Sequence, residues 1–240
     1  MNRIIRAFSE KSPTFVGEEF DLSETESIHL SRVLRIQVGE SLEVLDGRGG
    51  CFRSECVAVN RAKVRVRVLE VKHASQLVPQ VQMVIALGKG NKWEDLIRPL
   101  TELGVDRLTP LLTERTEGRF DQTKLENKKN RWHKIAQEAC KQSGNPWMPL
   151  FDDPITFDDA LSPSQPNVDY WMGSLRQDSI KFSPKSNQNK LSIFVGPEGG
   201  WTLEEEAKAR DSGFSFFTLC HHVLRVETAA VSALAVARQH

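Results

Sequence analysis

Two short stretches near the carboxy terminus hold residue types suited to gripping a ligand: GPEGG at 196–200 and CHHVLRVE at 220–227. Gly196, Gly199 and Gly200 reach dihedrals closed to other residues and let a ligand come close to the main chain. Glycine turns alone are weakly specific, so a plain tight turn and a ligand loop both fit GPEGG. Arg225 brings a permanent cation that can stabilise a developing anion or fix a phosphate; its competing role is a salt bridge to Glu227. Glu227 and Thr228 stand where a helix begins, and capping with dipole complementarity accounts for both.

The flanking residues must hold these stretches in place. LSIFV at 191–195 is a continuous apolar run, the pattern of a central strand buried on both faces. Thr202 and Glu205 form a capping-box pattern, which predicts a helix from Leu203 to a stop at Gly213. FSFFTL at 214–219 and TAAVSALAVAR at 228–238 repeat the same strand, loop and helix order around the second stretch. Both loops therefore fall at carboxyl ends of strands, where open α/β sheets place ligands.

Before them, VQMVIAL, NKWEDLIRPLTEL, DRLTPLLT, TKLENKKNRWHKIAQEACKQ and VDYWMGS alternate strand and helix patterns, which indicates a mostly parallel sheet covered by helices. Pro99 inside the first helix is expected to kink it. QDSIKFSPKSNQNK at 177–190 is polar and proline-bearing, the composition of a surface loop. Upstream of a texture change near residues 72 to 80, SLEVLDG, CFRSECVAVN and KVRVRVLEV read as short strands. They predict a small barrel or sandwich interrupted by a helix near SIHLSRVLR. Alternation places Val64, Val66 and Val68 on one face of the third strand.

Composition narrows the function classes. With 39% hydrophobic and 27% charged residues over 240 positions, the chain can bury one large core or two small ones. Lys+Arg and Asp+Glu both number 32, so no global field points to nucleic acid. No apolar run reaches the roughly 20 residues of a membrane helix, and the first residues lack a signal-peptide core, which places the chain in the cytoplasm. A phosphate loop of GxxxxGK[ST] type, a GxGxxG turn after a strand, a GxSxG elbow and an HExxH helix are all absent. Cys51, Cys56, Cys140 and Cys220 show neither zinc nor disulfide spacing, and no metal site is expected at His133, His221 or His222.

GPEGGWTLEEE followed by LCHHVLRVETAA resembles the terminal signature of the SPOUT superfamily of knotted methyltransferases, and more narrowly the RsmE family, which methylates N3 of a uridine in 16S ribosomal RNA. HLSRVLRIQVGE, DGRGG, LGKGNKWEDLIRPLTELGVDRLTPLLTERT and RWHKIAQEACKQSG resemble further regions of that family in the same order. The resemblance implies a PUA-like β-barrel over residues 1–72 and a SPOUT-like α/β domain with a trefoil knot over residues 73–240. It also implies S-adenosyl-L-methionine as cofactor, 16S rRNA or the 30S subunit as partner, and a homodimer to which the small-residue last helix contributes. Ordinary core packing explains that helix equally well. The implied cofactor-binding residues are Met172, Gly173, Val195, Gly196, Pro197, Glu198, Gly199, Gly200, Leu219, Cys220, Val223, Leu224 and Arg225, with Arg225 also the catalytic candidate. Glu198 faces either the cofactor's ammonium group or water. Cys220 stands where the family usually has glycine, and His222 where it has arginine.

RNA contact is expected from local clusters. Arg61, Lys63, Arg65 and Arg67 occupy a stretch without acids, the last three opposite the valines, where phosphate binding and a solvated strand face compete as explanations. Arg3, Arg6, Arg32 and Arg35 lie in the regions resembling the RNA-binding barrel, and Lys89 and Arg115 at predicted strand ends. Lys128, Lys129, Arg131 and Lys134 form either a phosphate-binding face or an ordinary exposed one. A methyltransferase is the leading function; a non-catalytic RNA-binding or ribosome-assembly protein with a decayed cofactor loop is the alternative.

Overall fold

A computed structural model describes residues 4–60, 62–88, 92–116, 122–161, 167–176, 178–184 and 188–239. In chain order its elements begin with β1 (Arg6–Phe8), β2 (Glu19–Asp21), α1 (Glu24–Ile28), a π-helix (His29–Leu34), β3 (Ser41–Leu45), β4 (Gly50–Val59) and β5 (Val64–His73). There follow β6 (Gln80–Ala86), α2 (Lys92–Glu102), β7 (Arg107–Leu112), a 3-10 turn (Gln122–Lys124), α3 (Leu125–Ser143), β8 (Leu150–Phe151) and β9 (Ile155–Thr156). The last elements are α4 (Phe157–Ala160), β10 (Val168–Gly173), β11 (Ile180–Lys181), β12 (Lys190–Val195), α5 (Leu203–Asp211), β13 (Ser215–Thr218) and α6 (Val226–Ala237).

The chain divides into two compact units, residues 1–76 with 137–148, and residues 77–136 with 149–240. The first unit is therefore discontinuous, taking in the last turns of α3, whereas the sequence suggests one cut after residue 72. Its five strands are ordered β1-β3-β4-β5-β2, with β1 and β3 parallel and the other pairs antiparallel. No ladder joins β1 to β2 among the described residues, so the sheet is an open path. Val64, Val66 and Val68 are fully buried and pack with Phe20, Leu30, Val44 and Phe52, as their period of two requires. The helix expected near residues 27–35 is α1 continued by the π-helix, ended by Arg35 in the left-handed region at φ 56°.

The second unit carries a sheet ordered β11-β13-β10-β12-β6-β7-β8, with β9 also on β7, and every pairing is parallel. β12 lies between β10 and β6, and Leu191 to Val195 are all buried, which is why the run is apolar but for Ser192, whose hydroxyl donates to Gln82 Oε1 at 3.4 Å. The register sets Met172 beside both Phe194 and Phe216, so β10, β12 and β13 end at nearly one level. α5 begins with the predicted capping box, Thr202 and Glu205 each satisfying the other's backbone. Pro99 lies inside α2, which continues through it to Glu102. Residues 180–181, expected in a loop, pair with β13 as an edge strand. α6 buries Ala230, Ala233, Leu234 and Ala237 and packs on α2, β6 and β12, so core packing accounts for that small-residue face. No helix among the described residues is long and apolar enough to cross a membrane.

Candidate functional site

The level ends of β10, β12 and β13 leave three loops facing one another, and between them lies a cavity of about 510 Å³. Gly173, Val195, Gly196, Pro197, Glu198, Gly200, Leu219, Cys220, Val223, Leu224 and Arg225 line it, so both carboxy-terminal stretches contribute to one site. Met172 and Gly199 do not. Met172 is fully buried in the core with Phe194 and Trp201, and a side chain at Gly199 would meet Arg115 at 3.4 Å.

The loop after β12 is fixed by specific contacts. The Trp201 indole donates to the Gly173 carbonyl at 2.8 Å, tying this loop to the end of β10. It also fills the space beside Gly196, where an added Cβ would sit 2.8 Å from the ring. Gly200 takes φ +69° with open space around it, a place where ligand and backbone can meet closely. Arg115 donates to the carbonyls of Gly199 at 2.8 Å and Trp201 at 3.2 Å. That guanidinium serves the loop instead of standing free at a strand end. Lys92, at the start of α2, pairs with Glu198, and this bond raises the lysine's pKa.

The loop after β13 is held otherwise. Thr218 donates its hydroxyl to the Cys220 carbonyl at 2.9 Å, and the exposed Cys220 thiol donates to the His222 carbonyl at 3.3 Å. Arg225 is the N-cap residue of α6 but supplies no side-chain cap, and it forms no ion pair with Glu227 among the described residues. Its charge remains available at the cavity wall. Glu227 lies in the first turn, where it complements the helix dipole.

Sequence patterns missed Ser174, Arg176, Trp201 and Glu206, which also line the cavity. The position of Ser174 just past a strand end and the capping-box register of α5 could have pointed to Ser174 and Glu206. Nothing local marks Arg176.

The RNA-contact candidates separate by their partners. Lys63 and Arg65 both bond Asp21 at 2.8 Å, and Arg67 bonds Glu19 at 2.7 Å, so acids from β2 neutralise the strand face. These contacts, Arg65 first, hold the Asp21 carboxyl well below the usual range. Arg6 bonds Glu43 at 2.6 Å and the carbonyls of Lys141 and Gln142. Arg131 pairs with Glu94 and Lys129 with Asp153. Arg32 and Arg35 are exposed and have no ion pair among the described residues. Arg3, Arg61 and Lys89 lie outside the described residues.

Comparison with known proteins agrees with this geometry. Residues 75–238 match the family model described as an RNA methyltransferase domain. The chain is 38% identical over 213 residues to the ribosomal RNA small subunit methyltransferase E of Synechocystis sp., spanning 86% of this chain and 68% of that one. It is 31% identical to the Bacillus subtilis protein of the same name, over 94% and 90% of the two chains. The crystal structure of the Neisseria gonorrhoeae ribosomal RNA small subunit methyltransferase E bound to S-adenosyl methionine superposes with a TM-score of 0.88, at 26% identity, covering 99% of this chain and 98% of that one. The cavity between the three strand ends thus belongs to a member of the ribosomal RNA small subunit methyltransferase E family.

Proposed function

We propose that this chain methylates N3 of a specific uridine in 16S ribosomal RNA, with S-adenosyl-L-methionine as the methyl donor. The observation carrying this reading is the cavity, which both signature stretches line and whose volume lies within the range for a single small ligand. The residues present fit that donor. Pro197, Leu219, Val223 and Leu224 offer apolar cover for an adenine, the strand-end backbone offers donors and acceptors for its edge, and Glu198 and Glu206 offer negative charge. The bound cofactor supplies an electrophilic methyl group on a sulfonium.

The protein's task is then mostly positioning and charge stabilisation. Methylation at N3 requires loss of the N3 proton, and the guanidinium of Arg225 stabilises the resulting uracil anion. Lys92 holds the loop after β12 through Glu198, and Arg115 holds it through the backbone carbonyls of Gly199 and Trp201. A uridine in folded RNA must be extruded to reach such a site.

The same reading includes a PUA-like fold in the first unit, with its five-stranded sheet open between β1 and β2 among the described residues, and a trefoil knot in the second. The knot is supported by the path of the chain: β13 lies beyond β10, while α6 packs on β6 and β12, so residues 219–225 return across the strand ends. It also includes a homodimer working in the cytoplasm on 16S rRNA or the 30S subunit. Arg32 and Arg35 are its phosphate-binding residues in the first unit. Replacing both with alanine lowers the salt dependence of RNA binding, by about 0.7 to 0.9 in slope for each phosphate no longer neutralised, whereas replacing Arg65 and Arg67 changes it little.

Methyl transfer to 30S subunits and to free 16S RNA, with the product nucleoside identified by mass spectrometry, tests the assignment. Modification at another uracil atom or at a ribose overturns the N3 position and leaves the family standing. Cofactor at 100 times its dissociation constant should stabilise the fold by about 2.7 kcal/mol. Absence of any thermal shift returns the chain to the non-catalytic alternative.

A further inference from the structure

Arg176 and Glu206 face the cavity without a role in the preceding scheme beyond the carboxylate's charge. Glu206 is buried, and its oxygens are divided between two donors: Oε1 accepts the Ser174 hydroxyl at 2.7 Å and Oε2 accepts Arg176 Nη1 at 2.8 Å. On the other side Arg176 Nε lies 3.5 Å from Asp178, which Arg210 holds at 2.6 Å. The guanidinium is thus braced along two edges. It is still 41% exposed, and among the described residues Nη2 has no partner.

The charged groups of the cavity fall into two sets. Glu198 and Arg225 lie toward α2, where Glu198 meets Lys92 and where the Arg225 charge is also felt by that lysine. Arg176 and Glu206 lie at the end of β10, beside Ser174. A braced guanidinium with a free edge is the arrangement that takes a carboxylate through parallel N–H bonds. The donor assigned above carries one carboxylate, on its amino-acid tail, and a cavity of about 510 Å³ suits that ligand better than a nucleic-acid backbone. We propose that Arg176 binds the carboxylate of the cofactor's amino-acid tail and that Glu206 is its positioning residue, an inference that rests on the cofactor assignment above.

Calorimetric titration of the full chain with S-adenosylhomocysteine, its decarboxylated analogue and methylthioadenosine tests this. In the wild type, removing the carboxylate should weaken binding roughly tenfold to a hundredfold, the effect of one charged hydrogen-bonded contact. In Arg176→Met that penalty should largely vanish while methylthioadenosine binds as in the wild type. Arg176→Lys, which keeps the charge and loses the fork, should show an intermediate penalty and serves if the methionine variant does not fold. Glu206→Gln should reduce the penalty without abolishing methylthioadenosine binding. An equal penalty in wild type and Arg176 variants overturns the proposal, as does uniform weakening of all three ligands. Loss of RNA affinity with unchanged carboxylate discrimination would assign Arg176 to an RNA phosphate and overturn it too. If none of the three ligands binds the wild type, the cofactor assignment itself falls, and this inference with it.

Discussion

The two principal walls of the cavity are built on opposite plans. The wall after β12 is pinned at nearly every residue: Glu198 to Lys92, the carbonyls of Gly199 and Trp201 to Arg115, the Trp201 indole to Gly173, and Thr202 to Glu205. Glu205 reaches further, accepting the backbone N–H of Glu114 at 3.0 Å. Past Thr218, whose carbonyl also accepts the Phe182 N–H at 3.3 Å, the wall after β13 has only short-range ties among the described residues, from the Thr218 hydroxyl to Cys220 and from Cys220 to His222, and Val223 is 77% exposed. A pinned wall is a preorganised surface, whereas a lightly tied one contributes little to global stability and orders around what it binds. The contrast separates residues that hold the site from residues that act in it.

Replacing Arg225 with alanine sharpens this contrast most. The side chain caps nothing and pairs with nothing among the described residues, so unfolding free energy should stay within about 0.5 kcal/mol of the wild type. Turnover should fall on the order of a hundredfold, the usual cost of removing a group that stabilises developing charge. Equal turnover would return Arg225 to a surface role. On the pinned wall the order reverses. Gly196→Ala forces a methyl to within 2.8 Å of the Trp201 ring, and denaturant unfolding should show a loss of about 1–3 kcal/mol together with weaker cofactor binding. Thr202→Ala removes one half of the capping box and should cost about 1 kcal/mol, with turnover at saturating cofactor little changed.

The pinned wall was also the legible one. Apolar LSIFV, the glycine turn and the capping box are local patterns, and the strand, loop and helix formed where they indicated. The bracing of that wall was not legible, because Lys92, Arg115 and Gly173 come from distant parts of the chain and sequence spacing carries no distance between them. The same reason explains the basic face of β5. Lys63, Arg65 and Arg67 stand in a run without acids, yet Asp21 and Glu19 reach them across the sheet. Counting charges along a strand does not count those of its neighbour. Residues 137–148 join the first unit for a similar reason, since a contiguous cut cannot describe a helix whose two ends serve different cores. Arg35 shows the converse: no local pattern marks its left-handed backbone, which only the end of the π-helix explains.

The smallest effect expected comes from the thiols, and it reads the second wall directly. Cys220 is exposed on the cavity, whereas Cys56 and Cys140 are buried and Cys51 is half-buried. Burial pushes the Cys140 thiol up to about 12, and burial together with the Glu43 carboxylate pushes Cys51 up to about 12. Only the thiolate reacts with iodoacetamide, so at neutral pH the native protein should be labelled at Cys220 first. Saturating S-adenosylhomocysteine should slow that labelling, because a ligand in this cavity covers the Cys220 wall. The readout is peptide mass spectrometry over a time course. Labelling at Cys220 that ignores the ligand would mean that the second wall stays open when the site is filled, and the division between a fixed wall and one that orders on binding would fail.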